Sequence, residues 1–128
     1  AIRKGVHLAK SMKAKITGIS VMPEQKYFLY QTDIIVQARE ETVRQHQMQA
    51  NRDLAFIEKA ANEAGVPCET LCEPSDHPYE AIIGAAEKKA CALIMMASHG
   101  RRGVEGLLLG SETQKVLTHS KVPVLVCR

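Results

Sequence analysis

Tryptophan is absent from this 128-residue chain, and only three Tyr and two Phe stand in for it, an aromatic share of 4%. None of the five aromatics is interleaved with basic residues. A nucleic-acid surface built on base stacking is therefore excluded, and a net charge of +3 is too small to suggest a basic groove. No apolar run approaches the ~20 residues that a membrane-spanning helix needs. Two phosphate motifs are missing as well. No glycine is followed by the Lys-Ser or Lys-Thr pair of a P-loop, and the Gly-x-Gly-x-x-Gly dinucleotide fingerprint does not occur. Internal repeats and low-complexity linkers are also lacking.

What remains is the composition of one globular domain. The apolar share of 45% and charged share of 24% suit a chain of this length that buries a core without disulfide staples. The four cysteines, Cys68, Cys72, Cys91 and Cys127, lie in or beside strand-like stretches, where a reduced thiol behaves as a small hydrophobe. They read as the free thiols of a cytoplasmic protein. Zinc at Cys68 and Cys72, with His77 and Cys91 completing the set, is the weaker alternative.

Periodicity gives the order of elements. Ile2, Val6, Ala9 and Met12 recur at helical spacing, and residues 15–21 read as a strand stopped by Pro23. Asp33 caps a helix that runs to about Ala64, with Val36, Val43, Ala50, Leu54, Ile57 and Ala61 along one face. A strand over residues 68–72 follows, then the loop 73–78, a helical face of Tyr79, Ile82, Ile83, Ala86 and Ala90, and a strand over 92–96. The last helix runs from Ser111 to about His119, and the strand from Val122 to Cys127 closes the chain. Strands alternating with helices predict an α/β chain of parallel βα units, with helices on both faces of the sheet.

The most informative segment reads Ala97-Ser-His-Gly-Arg-Arg-Gly-Val-Glu-Gly-Leu-Leu-Leu-Gly-Ser111, directly after an apolar strand. A buried strand running into a glycine loop and then a helix start is how α/β proteins hold phosphate on backbone N–H groups. A plainer reading fits the same residues. Ser111 with Gln114 spells a capping box, Gly110 precedes the cap, and Gly103 and Gly106 let an exposed loop turn. Glu112 argues against a bound anion unless its carboxylate points away; Arg101 and Arg102 argue mildly for one. His77, His99 and His119 are isolated from one another, and no nucleophile–base constellation stands near the loop.

The segment from Met96 to Ser111, with the run from Val116 to Val126, resembles the universal stress protein family. Its ATP-binding branch carries the pattern Gly-x2-Gly-x9-Gly-Ser/Thr. The match spans nearly the whole chain and departs at one point, Ala97 in place of the first glycine, a substitution the backbone accepts only at negative φ. The resemblance implies a regulatory or stress-response protein, not an enzyme, that binds ATP or a related adenine nucleotide, with or without magnesium. It assigns phosphate contacts to Gly100, Gly110, Ser111, Thr113 and the main chain of Glu112. Met96 and Ala97 then flank ribose and phosphates, Val21 touches adenine, and His99 lines the site. An ATP-hydrolysing enzyme of the related superfamily, and a dimerising module with an empty site, are the competing readings.

The resemblance also implies a three-layer sandwich around a five-stranded parallel sheet of order 3-2-1-4-5. Its first, central strand carries an Asp that recognises adenine, and no segment of these 128 residues matches either. The expectation is a truncated or partial form of a longer protein, with the sheet left in two halves whose inner edges lack partners. The uncharged strand from Val122 to Cys127 is expected to pair with its copy in a homodimer.

Overall fold

The computed structural model describes residues 1–24, 32–100 and 109–128. The elements follow in the order α1 (Ile2–Ser11), β1 (Ile16–Met22), α2 (Asp33–Ala64), β2 (Cys68–Pro74), α3 (Pro78–Lys88), β3 (Ile94–Ala97), α4 (Ser111–His119) and β4 (Val124–Cys127).

Helix α1 forms on the spacing of Ile2, Val6 and Ala9, and Val6 and Ala9 are buried against Ala61 and Val66. Lys10 in its last turn complements the helix dipole. Helix α2 begins after Thr32, not with Asp33 as its cap, and ends at Gly65 in the left-handed region with φ 71. There the Val66 amide donates to the Ala61 carbonyl at 2.9 Å, a closing turn that glycine permits without strain. At 32 residues α2 is about 48 Å long, roughly twice the length of a seven-residue strand. Its buried residues, Ala50, Leu54 and Ala61, all lie in the second half. Near the start of the helix Ile34 is 79% exposed.

Each strand pair is parallel. Ile16 lies opposite Cys68 through to Met22 opposite Pro74, and Ile94 opposite Val124 through to Ala97 opposite Cys127. The five-stranded order implied by the resemblance is not what the described residues form: they make two sheets of two strands, β1–β2 and β3–β4. Helices join the two. Strand alternation sends Ile16 and Cys68 into the α1–α2 cluster, and Gly5 of α1 sits against Met95 of β3. The opposite faces carry Ile94, Met96 and Val124 into the cluster formed with α3 and α4 around Ala86 and fully buried Val116. On that side Glu69 of β2 accepts from Lys89, just past α3, at 2.9 Å and from Thr17 of β1 at 3.1 Å. Helices thus cover both faces, in three layers.

A side chain at Gly18 would meet Ile57 at 3.0 Å and Thr70 at 3.4 Å. Gly18→Val is expected to lower stability by about 1–3 kcal/mol, read from the urea midpoint, and Ile57→Val in the same chain should recover part of the loss.

The Lys89 ammonium and then the Thr17 hydroxyl hold the Glu69 carboxyl below its ordinary value. A depressed folded value adds stability that is complete above the unfolded carboxylate value and is lost as pH falls through the folded one. Lys89→Met is therefore expected to destabilise the protein at neutral pH and to match wild type in strong acid. Urea titrations at the two pH values check this.

Candidate functional site

The carboxyl ends of the strands carry the loops that sequence reading singled out. After Ala97 the chain turns away from β3, but its backbone stays tied down. The Ser98 amide donates to the Cys127 carbonyl at 2.7 Å, and the Ser98 carbonyl accepts the Gly110 amide at 2.7 Å. That second bond closes the base of the glycine loop. Ser98 is 7% exposed, so its hydroxyl, 3.1 Å from His99 Nδ1, is enclosed and not presented as a nucleophile. The Thr113 hydroxyl donates to the Ala97 carbonyl at 3.0 Å, pinning the first turn of α4 onto the end of β3.

The N-terminus of α4 differs from the capping box expected of Ser111 and Gln114. Gly110 is the N-cap, in an extended conformation with φ −67 and ψ 154, and among the described residues no side chain caps the helix. Ser111 is the first helical residue and is exposed. The Gln114 amide group donates to the Leu109 carbonyl at 3.2 Å instead of reaching back to Ser111. First-turn N–H groups without a side-chain cap carry the positive end of the helix dipole.

The Glu112 carboxylate points away from its own helix end. One oxygen accepts the Tyr79 amide at 3.1 Å and the other accepts Lys115 Nζ at 3.0 Å. Tyr79 follows Pro78 in the first turn of α3, a helix with no side-chain cap of its own. The Tyr79 ring packs against His119, with centroids 5.2 Å apart, and Lys115 lies 5.6 Å from the ring centre. Its hydroxyl donates to Glu80, which raises the phenol above its ordinary value.

Ala97, Ser98, His99, Gly100, Gly110 and Thr113 are thus gathered at one rim, with Ser111 and Glu112 beginning the helix beside them. Met96 is turned into the α3–α4 cluster. Val21 lies on the other strand pair, opposite Glu73 at the end of β1. Among the described residues Lys13, Ala90 and Gly65 have positive φ and Ala97 does not, so alanine in place of glycine costs this backbone nothing. Arg101, Arg102, Gly103 and Gly106 lie outside the described residues. Sequence reading missed Ser98, a short polar residue between strand and loop, and the tie between Tyr79 and Glu112, whose 33-residue separation leaves no local signal. Cys68 packs with the α1–α2 cluster and the Cys72 sulfur lies 3.3 Å from that of Met22. Among the described residues no three His, Cys, Asp or Glu come together as a metal site, and no helix is long and apolar enough to cross a membrane. A shallow cleft of about 210 Å³ beside Met22, Pro23, Val43 and His46 involves none of the glycine-loop residues.

Fold and rim define an α/β protein whose parallel strands deliver loops and helix N-termini to one edge. Residues 1–128 match the family model described as the universal stress protein family, and the chain belongs to that family. It is 30% identical to universal stress protein YxiE of Bacillus subtilis over all of this chain and 88% of that protein. The solved structure of MJ0577, from Methanocaldococcus jannaschii, superposes with a TM-score of 0.75 at 25% identity, over 96% of this chain and 84% of that one. A universal stress protein of Archaeoglobus fulgidus solved in complex with dAMP shares the fold, with a TM-score of 0.65 at 15% identity over 99% and 84% of the two chains.

Thr113 is 3% exposed, and its hydroxyl bond is the side-chain tie between α4 and β3. Thr113→Val keeps the shape and leaves the Ala97 carbonyl without that donor. A loss of about 1–3 kcal/mol in chemical denaturation is expected, with Thr113→Ser close to wild type.

Proposed function

We propose that this protein is a regulatory adenine-nucleotide-binding protein of the universal stress type, with ATP or a related adenylate as ligand. The observation that carries the reading is the N-terminus of α4, which no side chain among the described residues caps, held by the Gly110–Ser98 bond beside the exposed Gly100. Phosphates are held by the main-chain N–H groups at Gly100, Ser111, Glu112 and Thr113, while Gly110, whose amide is bonded to the Ser98 carbonyl, lets them approach the helix start closely. The Thr113 hydroxyl donates to Ala97 and the Glu112 carboxylate is engaged by Tyr79 and Lys115, so both residues act through their amides. Ala97 and the main chain of Met96, whose side chain packs into the α3–α4 cluster, flank the ribose and phosphates, His99 lines the site, and Val21 touches the base. The dAMP complex of the Archaeoglobus relative supports an adenylate as the ligand class. Magnesium, where present, travels with the nucleotide.

The two separate strand pairs support a domain whose complete sheet has five strands, the additional one lying between β1 and β3 and contributing base recognition. Leu125 of β4 is 40% exposed on a strand with a single described partner, which supports pairing of that strand with its copy in a homodimer.

Gly100 provides the cleanest test. Among the described residues a Cβ there would meet nothing within 4 Å, so Gly100→Val should fold as wild type while blocking close approach of a phosphate. Isothermal titration with ATP and AMP is expected to show binding by the parent protein and none by Gly100→Val or Ser111→Glu, the second through charge repulsion. Unchanged affinity in both variants would move the site elsewhere. Steady release of ADP from ATP and magnesium would favour the enzyme reading.

A further inference from the structure

Among the described residues no strand-to-strand hydrogen bond joins the two sheets, yet a line of polar contacts crosses the rim between them. It begins at β1, where the Met22 carbonyl accepts the Ser75 amide at 2.7 Å. The Glu24 amide donates to Asp76 at 3.1 Å, and the His77 amide donates to the Ser75 hydroxyl at 3.0 Å. Residues 75–77 are thereby fixed to the end of β1 and lead into α3, whose Tyr79 amide donates to Glu112 of α4. We propose that Glu112 is the positioning residue of this rim: its carboxylate clasps the first turn of α3 to the first turn of α4. The clasp holds the β1 side of the site in register with the phosphate-binding turn.

The chemistry of the carboxylate suits the task. It accepts a bond from an otherwise uncapped first-turn amide of α3 while standing in the first turn of α4, so it is favourable to both helix dipoles. Lys115 engages the second oxygen and offsets its charge where a phosphate would bind. A carboxylate left unpaired at that position would repel an anion; one aimed at α3 and paired with Lys115 does so far less.

The ligand in this inference rests on the nucleotide reading, whereas the geometry does not, and the test separates them. Amide exchange at Tyr79 is read in the full-length protein for wild type, Glu112→Ala and Glu112→Gln, alongside titration with AMP and ATP. Glutamine keeps a carbonyl oxygen for the Tyr79 amide and drops the charge. The clasp predicts slow exchange at Tyr79 in wild type and Glu112→Gln, and fast exchange in Glu112→Ala. It also predicts affinity on the order of tenfold weaker in Glu112→Ala, the value of one charge-assisted bond, and at least wild-type affinity in Glu112→Gln. Mere charge repulsion predicts the opposite sign, so tighter binding by Glu112→Ala overturns the clasp. So does equal exchange at Tyr79 in all three proteins. A wild type that binds neither nucleotide defeats the nucleotide reading, and the Tyr79 exchange rates then decide the clasp alone.

Discussion

Parallel pairing is the constraint from which the rest of this molecule follows. Two parallel strands cannot be joined by a tight turn, so α2 must return the chain between β1 and β2, and α4 between β3 and β4. Every crossover leaves from a strand's carboxyl end and re-enters at an amino end. Loops and helix N-termini therefore collect along one rim, and each helix brings first-turn amides that its own ladder cannot satisfy. At α3 one such amide is met by Glu112, a residue from another helix. At α4 no side chain among the described residues caps the turn. Topology sets where anions are welcome, and the capping pattern decides which helix end stays open.

Small residues make the arrangement possible. Ala9 and Ala61 sit where α1 meets α2, and Ala61 is completely buried. Gly18 lets α2 lie close on β1, with Ile57 filling the space a side chain would take, and Gly5 does the same for α1 against Met95. The apolar interior is split accordingly into one cluster under α1 and α2 and another under α3 and α4. Val116 anchors the second, and enclosing it contributes roughly 1.5–3 kcal/mol. The Gly5–Met95 approach and the packing of α3 on β1 keep the two strand pairs in one body.

Local pattern revealed what local physics decides. The 3.6-residue spacing marked α1, and the face from Val36 to Ala61 marked α2 with the bounds it has, because apolar faces must find a core. The capping box failed because the same letters suit two geometries. With Gly110 extended and bonded to Ser98, the helix cap falls one residue earlier than a Ser111 cap requires, and the Gln114 side chain donates to the Leu109 carbonyl. Pairing of β1 with β2 and β3 with β4, and the reach of Glu112 to Tyr79, depend on how separate elements meet, which periodicity does not encode. The glycine loop was visible from spacing; its ligand class came from family likeness and not from any residue contact.

The two framing glycines show how structure separates packing from recognition. At Gly110 a Cβ would lie 3.4 Å from the Ser98 carbonyl and 3.5 Å from the His99 Cα, in ordinary contact with the closed base of the loop. Gly100 lacks even that contact. Among the described residues a Cβ on it would have no neighbour within 4 Å, and its φ is not positive, so neither packing nor backbone conformation there asks for glycine. In the proposed nucleotide reading, a residue that could bear a side chain without internal cost, at the open edge of this rim, is glycine because of what approaches it from outside. Ala97 marks the limit of the same logic. Its backbone tolerates a methyl group, and its carbonyl is already taken by Thr113, so the departure from the family pattern falls where the loop is held by its own bonds.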